Sequence, residues 1–91
     1  MIVGVAIKHN DIMICLPKPN RHHHCIRHAV GVLGITTTPI GAKPFAQGFY
    51  TDTGVFLNRI DGRIYAIEHG QLLKQETETF NSHELFSEDL W

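Results

Sequence analysis

Two runs rich in β-branched residues, Ile2-Val3-Gly4-Val5-Ala6-Ile7 and Ile12-Met13-Ile14-Cys15-Leu16, are separated only by Lys8 and His9-Asn10-Asp11. Such runs form strands. A polar link this short, with an asparagine that tolerates the left-handed turn conformation, predicts a β-hairpin. Neither run alternates polar with apolar residues. A sheet built from them is therefore expected to be covered on both faces, by a helix on one side and by another layer or chain on the other.

The rest of the chain repeats this kind of signal. Asn20 is a good N-cap after Pro17-Lys18-Pro19, so a first helix is predicted from about Arg21 to Leu33. Ile26, Ala29, Val30 and Leu33 fall on one helical stripe, and Gly34 suits the stop. Residues 35 to 46 carry two prolines and no helical period, which reads as a long loop. Gln47 to Thr51 and Val55 to Leu57, joined by Asp52-Thr53-Gly54, make a second hairpin. Asn58 can cap a second helix over roughly Ile60 to His69, with Ile60, Ile64 and Ile67 on its buried face and Gly70 closing it. Gly62 inside that helix costs up to about 1 kcal/mol relative to alanine, so the helix must lean on tertiary packing. Leu85-Phe86 and Leu90-Trp91 near the C-terminus predict a docked end. No internal repeat is visible. The expected architecture is α+β, two antiparallel hairpins with two short helices, in one small domain spanning residues 1–91.

With 91 residues such a domain buries about two-thirds of its unfolded surface, so homo-oligomerisation is a reasonable expectation. A net charge of -1 argues against a partner that is a nucleic acid polymer, which calls for a basic excess. No apolar run reaches the roughly 20 residues needed to cross a bilayer, and charged Lys8, His9 and Asp11 interrupt the apolar start, unlike a signal peptide. Two cysteines without a CxxC pair point to reduced thiols. No membrane partner and a cytoplasmic location are the expectations.

Residues 20 to 28, Asn-Arg-His-His-His-Cys-Ile-Arg-His, concentrate four of the seven histidines at the start of the first helix. Free backbone N–H groups and the positive end of the helix dipole favour acidic side chains there, yet these are basic. Three readings stay open. An anion site would use the backbone N–H groups, Arg21 as a bidentate fork, and His22 or His23 as donors beside Asn20. A metal site would use His24 and His28, one turn apart, with His9, Cys25 or His69 brought in from elsewhere. The plainest alternative is a solvated helix start with one histidine packed in the core.

Elsewhere the signals are weaker. Phe49 and Tyr50 point to opposite faces of one strand, so one should be core while the other could stack on a base. Asn58 is more simply a cap than a ligand contact. Arg59 repeats the oddity of Arg21, a cation at a helix start. No Gly-rich phosphate loop, nucleophile elbow or HExxH is present, and no catalytic residue is assigned. Cys25 in a first helical turn could have a lowered pKa, and His22 with His24 could serve a small phosphoesterase.

Several blocks together carry a resemblance: Leu16-Pro17-Lys18-Pro19, Arg21-His22-His23, Gln47-Gly48-Phe49, Gly54-Val55-Phe56-Leu57-Asn58-Arg59, Gly70-Gln71 and the ending Leu85-Phe86-Ser87-Glu88-Asp89-Leu90-Trp91. They resemble the first-described type of Thoeris anti-defence proteins, small phage sponges. The resemblance covers most of the chain in scattered blocks, and the Ser-Glu-Asp-Leu-Trp ending is its most specific part. It implies binding without turnover: sequestration of cyclic ADP-ribose isomers, and in some members cyclic oligonucleotides, by homo-oligomers with ligands at subunit interfaces. Family contacts would fall on Arg21, Phe49, and Asn58 or Arg59. The chain departs from the pattern in its third histidine and cysteine, in Gly62, and in an acidic stretch from Leu72 to His83 where members are often basic. The expectation is a non-enzymatic protein that sequesters cyclic nucleotide immune signals through Asn20, Arg21, His22, His23, Phe49, Asn58 and Arg59, with no cofactor and no metal. The alternatives are a His/Cys metal-binding module or a small His-dependent phosphoesterase acting on such nucleotides.

Overall fold

The computed structural model describes residues 1–35, 40–41, 43, 45–73 and 84–91. Half of the loop expected at 35 to 46 and most of the acidic stretch at 72 to 83 lie outside them. Both hairpins form as expected. Strand β1 (Ile2–His9) pairs antiparallel with β2 (Ile12–Pro17), and β3 (Gln47–Thr51) with β4 (Phe56–Asn58). Asn10 takes the left-handed turn conformation at φ 54° and Gly54 at φ 82°. Thr51 Oγ1 fixes the second turn by accepting from the backbone N–H of Thr53 and Val55. The hairpins join through β1 and β3, giving one antiparallel sheet in the order β2-β1-β3-β4.

Helix α1 (His22–Gly31) follows β2 and helix α2 (Arg59–Glu68) follows β4. The fold is thus two successive ββα units whose inner strands pair with each other, a duplication the sequence does not display. Both helices cover the sheet face that carries Val5, Ile7, Ile14 and Phe49, all buried with Cys25 and Ala29 of α1 and Ala66 of α2. The opposite face has no covering layer among the described residues, so of the layer or second chain expected there the chain itself supplies none. Small residues and flat rings serve there instead. A Cβ on Gly4 would meet the Tyr50 ring at 2.4 Å, and one on Gly48 would meet the Phe56 ring at 2.9 Å. Each ring lies down on a glycine. The Lys8 ammonium sits 4.4 Å from the centre of the Phe56 ring.

The face of α2 that is buried differs from the one expected. Gly62, Arg63 and Ala66 point inward, whereas Ile60, Ile64 and Ile67 are 40%, 53% and 47% exposed. Close approach is the cause: a Cβ on Gly62 would stand 3.3 Å from both Phe49 Cδ2 and Leu85 Cδ2. Only a small residue lets the helix come down onto that aromatic ring. Of the expected α1 stripe, Ala29 is buried and Ile26 packs against the core, whereas Val30 and Leu33 are exposed and Cys25 is buried instead.

The C-terminus docks as expected. Leu85 and Leu90 are buried, a 3-10 turn spans Ser87–Asp89, and Trp91 packs edge-on against Phe49. No helix among the described residues is long and apolar enough to cross a membrane.

Candidate functional site

The first residues of the two helices meet. Arg59 Nη2 donates to His22 Nδ1 at 3.5 Å, so both helix N-termini open toward the same place. His22 Nε2 donates to the Gly48 carbonyl at 2.7 Å, and the ring packs edge-on against Phe49. Burial holds the His22 imidazole below its ordinary pKa, with Arg59 adding to the effect. With both ring nitrogens engaged, His22 is a core histidine that positions Arg59. It is not placed for acid–base work.

Arg21 is the N-cap of α1, where Asn20 was expected. Asn20 is spent on the preceding turn: its amide donates to the Pro17 carbonyl at 2.7 Å and its own carbonyl accepts from the Trp91 indole N–H at 3.1 Å. The capping contact runs in the other direction, because His24 Nδ1 accepts from the Arg21 backbone N–H at 2.8 Å. The Arg21 guanidinium reaches the C-terminal turn, donating to Ser87 Oγ at 3.1 Å and lying 4.0 Å from Glu88 Oε1. Ser87 in turn donates to Glu88 at 3.0 Å. The Glu88 carboxyl is held below the usual carboxylate range by its own backbone N–H and the Ser87 hydroxyl, with help from Arg21 and His22. A negative group therefore does sit over the basic helix start, and the chain supplies it.

Arg59 is placed differently. Its guanidinium stacks 4.9 Å from the centre of the Phe86 ring, and its Nε–H is shut off from solvent without an acceptor among the described residues. A buried donor left unpaired costs about 1–3 kcal/mol, so such a group calls for an explanation. Arg59 also lines a cavity of about 340 Å³ with Lys43, Phe45, Gln47, Ile60 and Glu84. Phe45 stands at its rim, largely exposed and in the left-handed conformation at φ 63°. For a bulky non-glycine residue that conformation is strained.

Of the seven residues expected to contact ligand, the fold brings Arg21, His22 and Arg59 together, with Asn20 at the edge through Trp91. Phe49 is fully buried between His22, Trp91 and α2 and offers no ring face to a ligand. It shares the helix-covered face with Val5, its strand partner, so Tyr50 is the ring left on the open side. Asn58 is the cap of α2, its side chain accepting from the Asp61 N–H at 2.8 Å. His23 is exposed beside His24, their ring centres 4.0 Å apart. The expected reactivity of Cys25 is reversed: burial pushes its thiol up to about 11. Sequence reading missed Lys43, Phe45, Ser87 and Glu88. Only the Ser-Glu-Asp ending carried any signal, and it was read as a family marker.

The metal reading meets a geometric obstacle. His24 Nδ1 is occupied as an acceptor, so the neutral ring carries its proton on Nε2 and presents a donor outward. No group of three metal-ligating side chains occurs among the described residues.

The profile of the family described as "Phage T4 y16D protein" matches residues 1–91, the full length of the chain. The chain belongs to that family. It is thus a phage-type protein, as the block resemblance implied, although the match speaks to the family and not to a sponge. Neither a curated protein nor a solved structure matches it.

Proposed function

We propose that this phage-family protein binds an anionic nucleotide signal in the cavity beside the N-terminus of α2, without turning it over. The single observation that carries the reading is Arg59. A guanidinium with a solvent-excluded, unpaired N–H, beside Lys43 and a strained exposed phenylalanine, lines a cavity of ligand size. Phosphate oxygens fit Arg59, Lys43 and the backbone N–H groups of the first α2 turn, and Phe45 supplies a face for a base. The earlier blocks resembling anti-defence sponges favour cyclic ADP-ribose isomers or cyclic oligonucleotides as the ligand, and sequestration in the host cytoplasm as the role.

An open cavity on so small a domain encloses such a ligand poorly, and association of copies would complete it. The exposed Ile60-Ile64-Ile67 stripe runs from the cavity along α2 and supports that arrangement. The test is to incubate purified protein with each cyclic nucleotide, remove the protein-bound fraction, and heat it. Intact ligand recovered by heating supports a sponge, a degraded product supports a phosphoesterase, and no depletion of any candidate removes both.

A further inference from the structure

A second cluster of basic side chains lies on the outer side of α1, away from Arg59. Between α1 and the edge strand β2 runs a groove of about 490 Å³, lined by Asn20, His24, Arg27, His28 and Val32 from α1 and its ends and by Leu16 from β2. It shares no lining residue with the Arg59 cavity. Residues 24, 27 and 28 are spaced by three and four positions, so their side chains share one face of the helix. No carboxylate lines the groove, and Arg27 makes no ion pair among the described residues. The same cluster that was compensated by Glu88 at Arg21 is left uncompensated here.

The hydrogen bond from the Arg21 N–H fixes what His24 can offer. Its Nδ1 is an acceptor inside the cap, so Nε2–H is the atom available as a donor. A metal ion would need that nitrogen bare; an anion needs it as it is. Desolvation, followed by the neighbouring basic side chains of His23, Arg27 and Arg21, holds His24 below its ordinary pKa, which favours this neutral donor form. Arg27 can add a two-pronged contact to the same oxygens. Leu16 and Val32, the apolar part of the lining, suit an apolar or planar body attached to the anion. At the far end of the groove Gly31 has no atom within 4 Å of where a Cβ would stand, so the end is open.

We infer that the α1–β2 groove is a separate binding site for a small phosphorylated ligand, with the phosphate held by His24, Arg27 and His28 and the organic body lying against Leu16 and Val32. The inference does not depend on the Arg59 reading. Its test uses inorganic phosphate and adenosine monophosphate as probes, titrated into the full chain while the imidazole nitrogen resonances are followed by NMR. Both probes are expected to shift His24 and His28, the nucleotide more tightly than phosphate. Arg27→Gln is expected to weaken both by about tenfold or more. Gly31→Leu adds a side chain into open space within a helix and should fold normally while blocking the nucleotide. Arg59→Met should leave this binding intact, which separates failure here from failure of the other site. Unmoved histidine resonances, or unaltered binding by Arg27→Gln and Gly31→Leu, would overturn the site. Equal affinity for the two probes would overturn the role of Leu16 and Val32.

Discussion

Arg59→Met should make this protein more stable and less able to bind its nucleotide. The substitution keeps side-chain length and helix propensity while deleting the guanidinium. Removing the buried, unpaired Nε–H relieves about 1–3 kcal/mol of desolvation. Removing a cation from the first position of α2 relieves about 0.3–1 kcal/mol of repulsion with the helix dipole. Against this stand the stacking on Phe86, worth about 0.5–1 kcal/mol, and a 3.5 Å hydrogen bond to His22, long enough to count for about 0.5 kcal/mol or less. The backbone bond from the Leu85 N–H to the Arg59 carbonyl is untouched. The balance is about 1 kcal/mol of added stability, which for a domain of this size raises Tm by about 4–8 °C. Ligand binding should fall by the worth of a charge-assisted contact, about 1.5–3 kcal/mol or roughly 10- to 150-fold. Thermal unfolding and ligand titration on the same preparation measure both. A Tm lowered by several degrees would mean that Arg59 holds the fold together, and the reasoning from its unpaired N–H would be wrong.

Four further outcomes follow from the packing. His22 and His24 both titrate below the ordinary 6.5 in the folded chain, so the fold favours their neutral forms. Their contribution to stability is complete above pH 6.5 and is lost as pH falls through the folded values; a urea midpoint that stays flat on acidification would contradict this. Cys15 should react with a thiol reagent in the native state, while Cys25, buried and raised to about 11, should react only after denaturant is added. Gly48→Ala should abolish folding, because its Cβ would stand 2.1 Å from the Leu57 carbonyl oxygen, whereas Gly31→Ala, in open space within α1, should add about 1 kcal/mol by chemical denaturation. Ile64→Glu on the exposed stripe should leave the monomer folded and shift light-scattering mass toward one chain, if copies associate through α2 as proposed.

The sequence was enough for the elements, and the reason is that each is specified locally. Asn10, Gly54 and Asn58 each perform at short range the job their residue type suits, in two turns and one cap. β-branched runs pair with their nearest neighbours once the turn is set. The helices also begin within two residues of where their caps were expected. The candidate site was half legible for the same reason: Arg21 and Arg59 stand out because a cation at a helix start conflicts with a purely local rule. Their partners do not stand out, because Ser87 and Glu88 come from the far end of the chain.

By itself, then, the sequence determined two hairpins, two helices and a pair of misplaced arginines. Tertiary structure alone decided which way each helix faces. Apolar periodicity marks a stripe of isoleucines on α2, but the rotation of a packed helix is set by how closely it can approach its neighbour. The Phe49 ring and Leu85 leave room only for Gly62 where the helix touches them, so the bulkier stripe is turned outward. It also decided that the anion over Arg21 is the chain's own Glu88, because only folding brings residues separated so widely in sequence within reach of each other's charge.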